Sequence, residues 1–231
     1  MSLALTEPLM QFLAIGGPVV WIHLFMSLLL LTIVLVKLWQ FAAAGMFSVR
    51  VGRRAERILA QWEQGEHAAA LAEAGEARDP QTRLLRHAAE YLHEGALHGK
   101  ALTNELGREA AVTLQGLRAH LHSVELVAGL APLLGLLGTV LGMIEAFQAM
   151  EAAGRQVDPS TLSGGIWKAL LTTAVGLVVA MPAIVAHNWL ERRIERFAST
   201  MDDCLVRLLT TAQRSRTIAP VSVMEPDRAR A

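Results

Sequence analysis

Three long apolar blocks separated by charged sequence constrain this chain more than any other feature. The first runs from Ile15 to Trp39, and the other two are Leu126–Ala149 and Ile166–Trp189. Each is long enough to cross a hydrocarbon core about 30 Å thick as a helix rising about 1.5 Å per residue. At 53% hydrophobic residues the chain has enough apolar mass for one large soluble domain. Concentration of that mass into three blocks instead selects a small polytopic membrane protein. No basic residue precedes the first block and no small-residue cleavage site follows it, so it reads as an uncleaved span rather than a signal peptide.

Charge distribution orients the spans. Met1–Ala14 contains no Lys or Arg, whereas Phe41–Ser123 contains ten and the tail after Trp189 contains eight arginines. The loop Met150–Gly165 has only Arg155. The positive-inside rule therefore places the N-terminus and short loop outside, and the middle region and C-terminus in the cytoplasm. The chain divides into an external lead (1–14), span 1 (15–40), a cytoplasmic helical region (41–123), span 2 (124–149), an external loop (150–165), span 3 (166–189) and a cytoplasmic amphipathic helix with a disordered tail (190–231). The expected fold is an all-α integral membrane protein with three transmembrane helices and long cytoplasmic helical extensions.

Local signals refine this plan. Residues 1–14 can form an interfacial helix, and Gly16-Gly17-Pro18 opens span 1, with Pro18 suited to a first helical turn. Lys37 near the inner end can snorkel to the headgroups. His23, one turn inside the span, reads as an interfacial or helix-packed imidazole before a proton relay. In the middle region the pattern predicts a helix over Phe47–Ala74, another over Pro80–Leu97, and a third beginning after Gly99. No breaker separates that third pattern from span 2, which predicts one unbroken helix of about 50 residues, about 75 Å long. Ser163 or a neighbour is a candidate cap for span 3. Beyond Trp189, Leu190, Ile194, Phe197, Met201, Leu205 and Leu208 form an apolar stripe suited to packing on the middle region or on another subunit. Residues from about Arg214 onward have a disorder-prone composition.

Enzymatic and cofactor chemistry find no support. Cys204 is the single cysteine, which excludes an internal disulfide and a cysteine-based metal site. His87, His93, His98, His120 and His122 lack a recognised zinc spacing and read as solvated helical surface, so no metal is expected. Gly135-Leu136-Leu137-Gly138 lacks the Lys-Ser/Thr ending of a phosphate loop. Lys and Arg balance Asp and Glu at 21 each, leaving no basic field for nucleic acid.

What remains is polar and small content at membrane depth. Gly135, Gly138 and Gly142 in span 2 and Gly176 in span 3 allow close helix approach, and Pro132 and Pro182 each release a backbone carbonyl. Lys168, Thr172 and Gly176 fall at successive i, i+4 positions, with Thr173 beside them and Thr139 at mid-depth of span 2. Each threonine taken alone is packing glue before it is function. Lys168 can snorkel outward or pair with Glu145 at the outer end of span 2, or it can set the field of a pore. Physics alone reaches an oligomeric helical membrane protein with channel-like walls.

The run Ala131-Pro132-Leu133-Leu134-Gly135-Leu136-Leu137-Gly138-Thr139-Val140-Leu141-Gly142-Met143, then Gly165-Ile166-Trp167-Lys168-Ala169-Leu170-Leu171-Thr172-Thr173-Ala174-Val175-Gly176-Leu177 and Ala180-Met181-Pro182-Ala183, resembles the signature of the MotA/TolQ/ExbB proton channel family. Gly16-Gly17-Pro18-Val19-Val20-Trp21, leading to Lys37-Leu38-Trp39, is similar to that family's first span. Three spans match the ExbB/TolQ branch. The resemblance implies a homopentameric ring in the bacterial inner membrane around the single helix of an ExbD- or TolR-like partner. It implies that the partner carries the titrating aspartate and that pore threonines at Thr139 and Thr173 face it; Thr172 and Lys168 are further candidates for lining the ion pathway, and no cofactor is expected. Proton flow would drive a TonB- or TolA-like protein spanning the periplasm. One departure stands out: the best-known members carry a glutamate where this chain has Lys168. A non-conducting scaffold of the same fold is the alternative.

Overall fold

The computed structural model describes residues 3–75, 79–95, 97, 99–153 and 159–218, and all the regular structure among them is helical. Seven helices follow in order: α1 Leu3–Ala43, α2 Val49–Glu63, α3 His67–Gly75, α4 Pro80–Glu94, α5 Gly99–Arg118, α6 Leu121–Ala153 and α7 Pro159–Ile218. Three stretches of helix are long and apolar enough to cross a membrane; they lie in α1 from Gly16, in α6 and in α7. The chain divides into two units, the first joining the segment up to Trp39 with Arg118–Arg192, the second joining Gln40–Leu117 with the chain from Arg193 on.

The first unit holds the spans. α1 is interrupted at Gly17, whose φ of 62° and ψ of −161° are open to a residue without a Cβ, and Pro18 starts the helix again. The three helices meet in an aliphatic core of Leu30, Val124, Val127, Ala128, Ala131, Val179, Ala180 and Ala183, flanked by Met26, Ile33 and Val34. Many large apolar side chains on the outer faces, Phe25, Leu28, Leu133, Leu170 and Val185 among them, are exposed within the single chain. Such faces suit lipid or a neighbouring subunit.

The second unit is built by α2 to α5 and the C-terminal half of α7. Ile58, Leu59, Trp62, Leu84, Leu85, Leu102 and Leu106 are buried, as are Ile194, Phe197, Met201, Leu205 and Leu208 of α7. The tail stripe thus packs on the middle region of its own chain. Arg207 fixes that packing by donating to Glu56 at 3.0 Å and to Glu63 at 3.3 Å. Asp79 caps α4 by accepting from the Thr82 amide at 2.8 Å, with Pro80 at the first turn and Gly95 in the left-handed region at its end.

Several local expectations are corrected. The helix expected over Phe47–Ala74 is two helices, because Gly65 at φ 84° reverses the chain after α2 and the Gly65 and Glu66 amides bond back to Trp62 and Gln61. The unbroken helix expected from Gly99 into span 2 breaks between Arg118 and Leu121, where His120 takes φ 65°. Ser163 lies inside α7, which begins at Pro159, so it caps nothing. Helix also persists beyond Arg214 to Ile218, and the remainder of the tail lies outside the described residues. Lys37 is buried rather than snorkelling outward, and it is not left unpartnered there. A cation withdrawn from water needs such compensation.

Candidate functional site

The polar content of the first unit gathers along the seam between α6 and α7. Glycines make the seam possible. A Cβ on Gly135 would lie 3.0 Å from the Thr172 carbonyl oxygen and 3.1 Å from the Thr173 Cα, and one on Gly176 would lie 2.7 Å from the Ala131 carbonyl oxygen. Backbone thus touches backbone, the arrangement that small residues permit in lipid. Gly138 sits against the Thr172 side chain, and a Cβ on Gly142 would lie 3.0 Å from the Ala169 Cβ.

The threonines divide by their surroundings. Thr172 is buried, its hydroxyl donating to the Ala169 carbonyl at 2.7 Å and lying 3.4 Å from the Gly135 carbonyl oxygen. The half-buried Thr173 donates across the seam to the Gly135 carbonyl at 3.1 Å. Thr139, also half-buried, donates back to Leu136 at 2.6 Å within its own helix. Such hydroxyls are satisfied at rest yet keep acceptor capacity toward a neighbour. Within one chain, therefore, Thr172 belongs to the packed seam, while Thr139 and Thr173 retain access to its surroundings. Pro132 and Pro182 lie inside α6 and α7, each withdrawing one amide donor.

One end of the seam carries an ion pair. Lys168 Nζ donates to Glu145 Oε2 at 2.6 Å, joining α7 to α6, and the side chains are 32% and 60% exposed. The end of the Lys168 side chain also lies beside Gly17, where a Cβ would approach Nζ to 3.9 Å. The break in α1 therefore stands next to this pair.

His23 is the helix-packed imidazole that its place in the sequence suggests. His23 is fully buried, with Nδ1 2.7 Å from the Val19 carbonyl oxygen and Nε2 2.9 Å from that of Ala131. Through Nε2 it offers a polar tie from α1 to the seam. Val19 lies one turn back on the same helix, whereas Ala131 lies on α6, and local sequence pattern carried no signal for that contact.

Among its described residues, the second unit offers no comparable seam of close-packed glycines and hydroxyls. Among the described residues, no three His, Cys, Asp or Glu side chains come together as metal ligands. In this unit His87 meets Glu109 at 2.8 Å and His93 is exposed; His120 and His122 are exposed in the first unit, and His98 lies outside the described residues. Cys204 is buried, which pushes its thiol up from the usual range, and it accepts from the Gln81 amide at 3.4 Å.

Among the described residues, three close-packed helices apolar enough to cross a membrane, with glycines, hydroxyls and an ion pair along one seam, fit an all-α integral membrane protein. The family model that matches is the MotA/TolQ/ExbB proton channel family, over residues 76–203, which is more than half of the chain. The chain belongs to this family, on its ExbB/TolQ-like branch. It is 33% identical over 128 residues to the biopolymer transport protein exbB1 of Vibrio cholerae, covering 52% of this chain and 55% of that protein. It is 32% identical over 103 residues to ExbB of Salmonella typhimurium, covering 45% and 42%. Over 95 residues it is 35% identical to the Tol-Pal system protein TolQ of Haemophilus influenzae, covering 41% and 40%. The chain thus spans about half the length of these relatives or less.

Proposed function

We propose that this protein is a proton-channel and motor subunit of the bacterial inner membrane. It assembles as a homopentamer with its N-terminus in the periplasm and C-terminus in the cytoplasm. With an ExbD- or TolR-like single-span partner inside the ring, it converts proton motive force into work on a TonB- or TolA-like periplasm-spanning protein. The outcome is energised outer-membrane transport or envelope maintenance. Thr139 and Thr173 line the ion path, Lys168 stands at its outer rim, and the titrating acid belongs to the partner. No step requires a cofactor or enzymatic chemistry by this chain.

The observation that carries this reading is the pair of half-buried hydroxyls, Thr139 and Thr173, on two close-packed spans of a proton channel family member. A group that retains acceptor capacity beside an apolar seam can receive a hydrogen bond from a partner's acid or from water. The energy scale suits the task. One charge crossing 100 mV releases about 2.3 kcal/mol, so a few protons drive a rearrangement of several kcal/mol.

A second reading rests on Lys168. It occupies the position of a family glutamate and is tied to Glu145, which favours a scaffold of the same fold that conducts nothing. Proton flux into vesicles containing the chain and its single-span partner separates the two. The motor reading expects flux that falls several-fold in Thr139→Val/Thr173→Val, whereas absence of flux in the intact complex supports the scaffold.

A further inference from the structure

We propose that Arg50, Arg53, Arg54 and Arg57 form a headgroup site for anionic phospholipid at the end of the first span. These four residues lie at i, i+3, i+4 and i+7 of α2, on one side of the helix. With Val51 they line an open concavity of about 450 Å³. The opposite side of α2 is committed to the core of the second unit through Ala55, Ile58, Leu59 and Trp62.

The site carries excess positive charge. Arg57 donates to Glu73 at 2.7 Å and Arg54 lies 3.5 Å from the same carboxylate. Arg50 and Arg53 have no carboxylate partner among the described residues. Among the described residues, four guanidinium groups therefore share one carboxylate. Guanidinium matches the oxygens of a phosphate through paired N–H donors, which makes a phosphate ester the fitting ligand.

Chain geometry selects a lipid over a soluble phosphate. The apolar span of α1 ends at Ala43, and one tight turn reverses the chain into α2. In that turn the Gly45 amide bonds to Ala42, Met46 to Phe41 and Ser48 to Gly45. Phe47 and Val49, immediately before the arginines, are exposed apolar side chains. An apolar pair followed by basic residues, one turn from a span end, is the pattern of a segment lying at the headgroup level. Either leaflet would present the same chemistry, so only the membrane location of the span is needed.

The test is native mass spectrometry of the full chain in detergent with added phosphatidylglycerol or phosphatidylcholine. Wild-type protein is expected to retain phosphatidylglycerol at least fivefold better than phosphatidylcholine, and high salt should erase the preference. Arg50→Gln/Arg53→Gln should lose it, whereas Arg50→Lys/Arg53→Lys should keep a weakened form. Arg118→Gln, removing a cation equally close to a span end in sequence, should leave it intact. Equal retention of both lipids, or an equal loss with Arg118→Gln, overturns the site. Displacement by glycerol phosphate as effective as by lipid overturns the lipid assignment in favour of a soluble phosphate ester. If the double Gln variant fails to purify, the Lys variant and the Arg118 control still decide. Lipid retention is read without proton flux, so its failure leaves the channel reading untouched, and the reverse also holds.

Discussion

His23 and Ala131 stand 108 residues apart in the chain, yet the ring Nε2 lies 2.9 Å from the Ala131 carbonyl oxygen. The other ring nitrogen faces the Val19 carbonyl at 2.7 Å. Carbonyls only accept, so a neutral ring has one N–H for two acceptors and ties α1 either to itself or to α6. His23→Leu fills similar space but removes the tie. It is expected to lower the stability of the purified protein by about 1–2 kcal/mol, read as an earlier midpoint in thermal unfolding in detergent. An unchanged midpoint would show that the helix contact is apolar alone.

Gly176 meets the same carbonyl from α7. A Cβ there would lie 2.7 Å from the Ala131 oxygen and 3.1 Å from His23 Nε2, and the oxygen belongs to backbone that cannot swing aside. Gly176→Ala should therefore cost about 1–3 kcal/mol. Gly129→Ala is the matched control, because nothing lies within 4 Å of its added Cβ. Relief of helix-interior glycine favours that variant by up to about 1 kcal/mol. Equal midpoints for the two variants would remove the close-packed seam as an explanation.

Particular residues show why some of this was legible in sequence and some was not. Spans declare themselves because a lipid-crossing helix needs a long apolar run, and no tertiary partner can substitute for it. The amphipathic stripe from Ile194 to Leu208 was equally plain, since period alone turns it to one face. His120 was not. Neither neighbour is Gly or Pro, and a histidine at φ 65° is a tertiary outcome that local propensity disfavours. Gly65 ends α2 at φ 84°, but a single glycine costs a helix only about 1 kcal/mol, so its type alone does not mark a stop. At the seam the residue types were visible and their partners were not. Thr172 and Thr173 are adjacent in sequence, yet only the packing against Gly135 and Gly138 decides which is enclosed.

Reversing Lys168 tests the ion pair at the rim. In Lys168→Glu two carboxylates would meet where a 2.6 Å contact now joins opposite charges. The pair is exposed enough that simple removal, Lys168→Ala, should cost no more than about 1 kcal/mol. Reversal should cost more, and the exchange Glu145→Lys/Lys168→Glu should restore the wild-type thermal midpoint. No rescue by the exchange would mean that Lys168 answers to groups other than Glu145.

Acid dependence should appear in the second unit. Glu73 accepts from Arg57, and with Arg54 also nearby its carboxyl is held below the usual range. A carboxyl lowered in the folded state contributes stability above its unfolded value, near 4.3, and loses it as pH falls through the lowered value. The pair is near the surface, so the contribution is about 1 kcal/mol or less. Glu73→Gln should narrow the difference between thermal midpoints at pH 6 and pH 3. An unchanged difference would assign the acid sensitivity to other carboxylates.

The two adjacent threonines of α7 give the sharpest separation of packing from conduction. Thr172 is enclosed and bonded within its helix, so Thr172→Val exchanges a satisfied hydroxyl for a methyl in a seam that Gly138 keeps tight. Its effect should fall on stability, by about 1 kcal/mol, with proton flux falling only as far as the amount of assembled complex falls. Thr173 keeps access outside the seam while donating to Gly135. Thr173→Val should therefore lower flux per assembled complex several-fold, while Thr173→Ser retains most of it because the hydroxyl survives. Flux normalised to complex recovered from the same vesicles distinguishes these outcomes. If Thr172→Val abolishes normalised flux and Thr173→Val leaves it whole, the ion path runs through the seam itself and the assignment of the two residues must be exchanged.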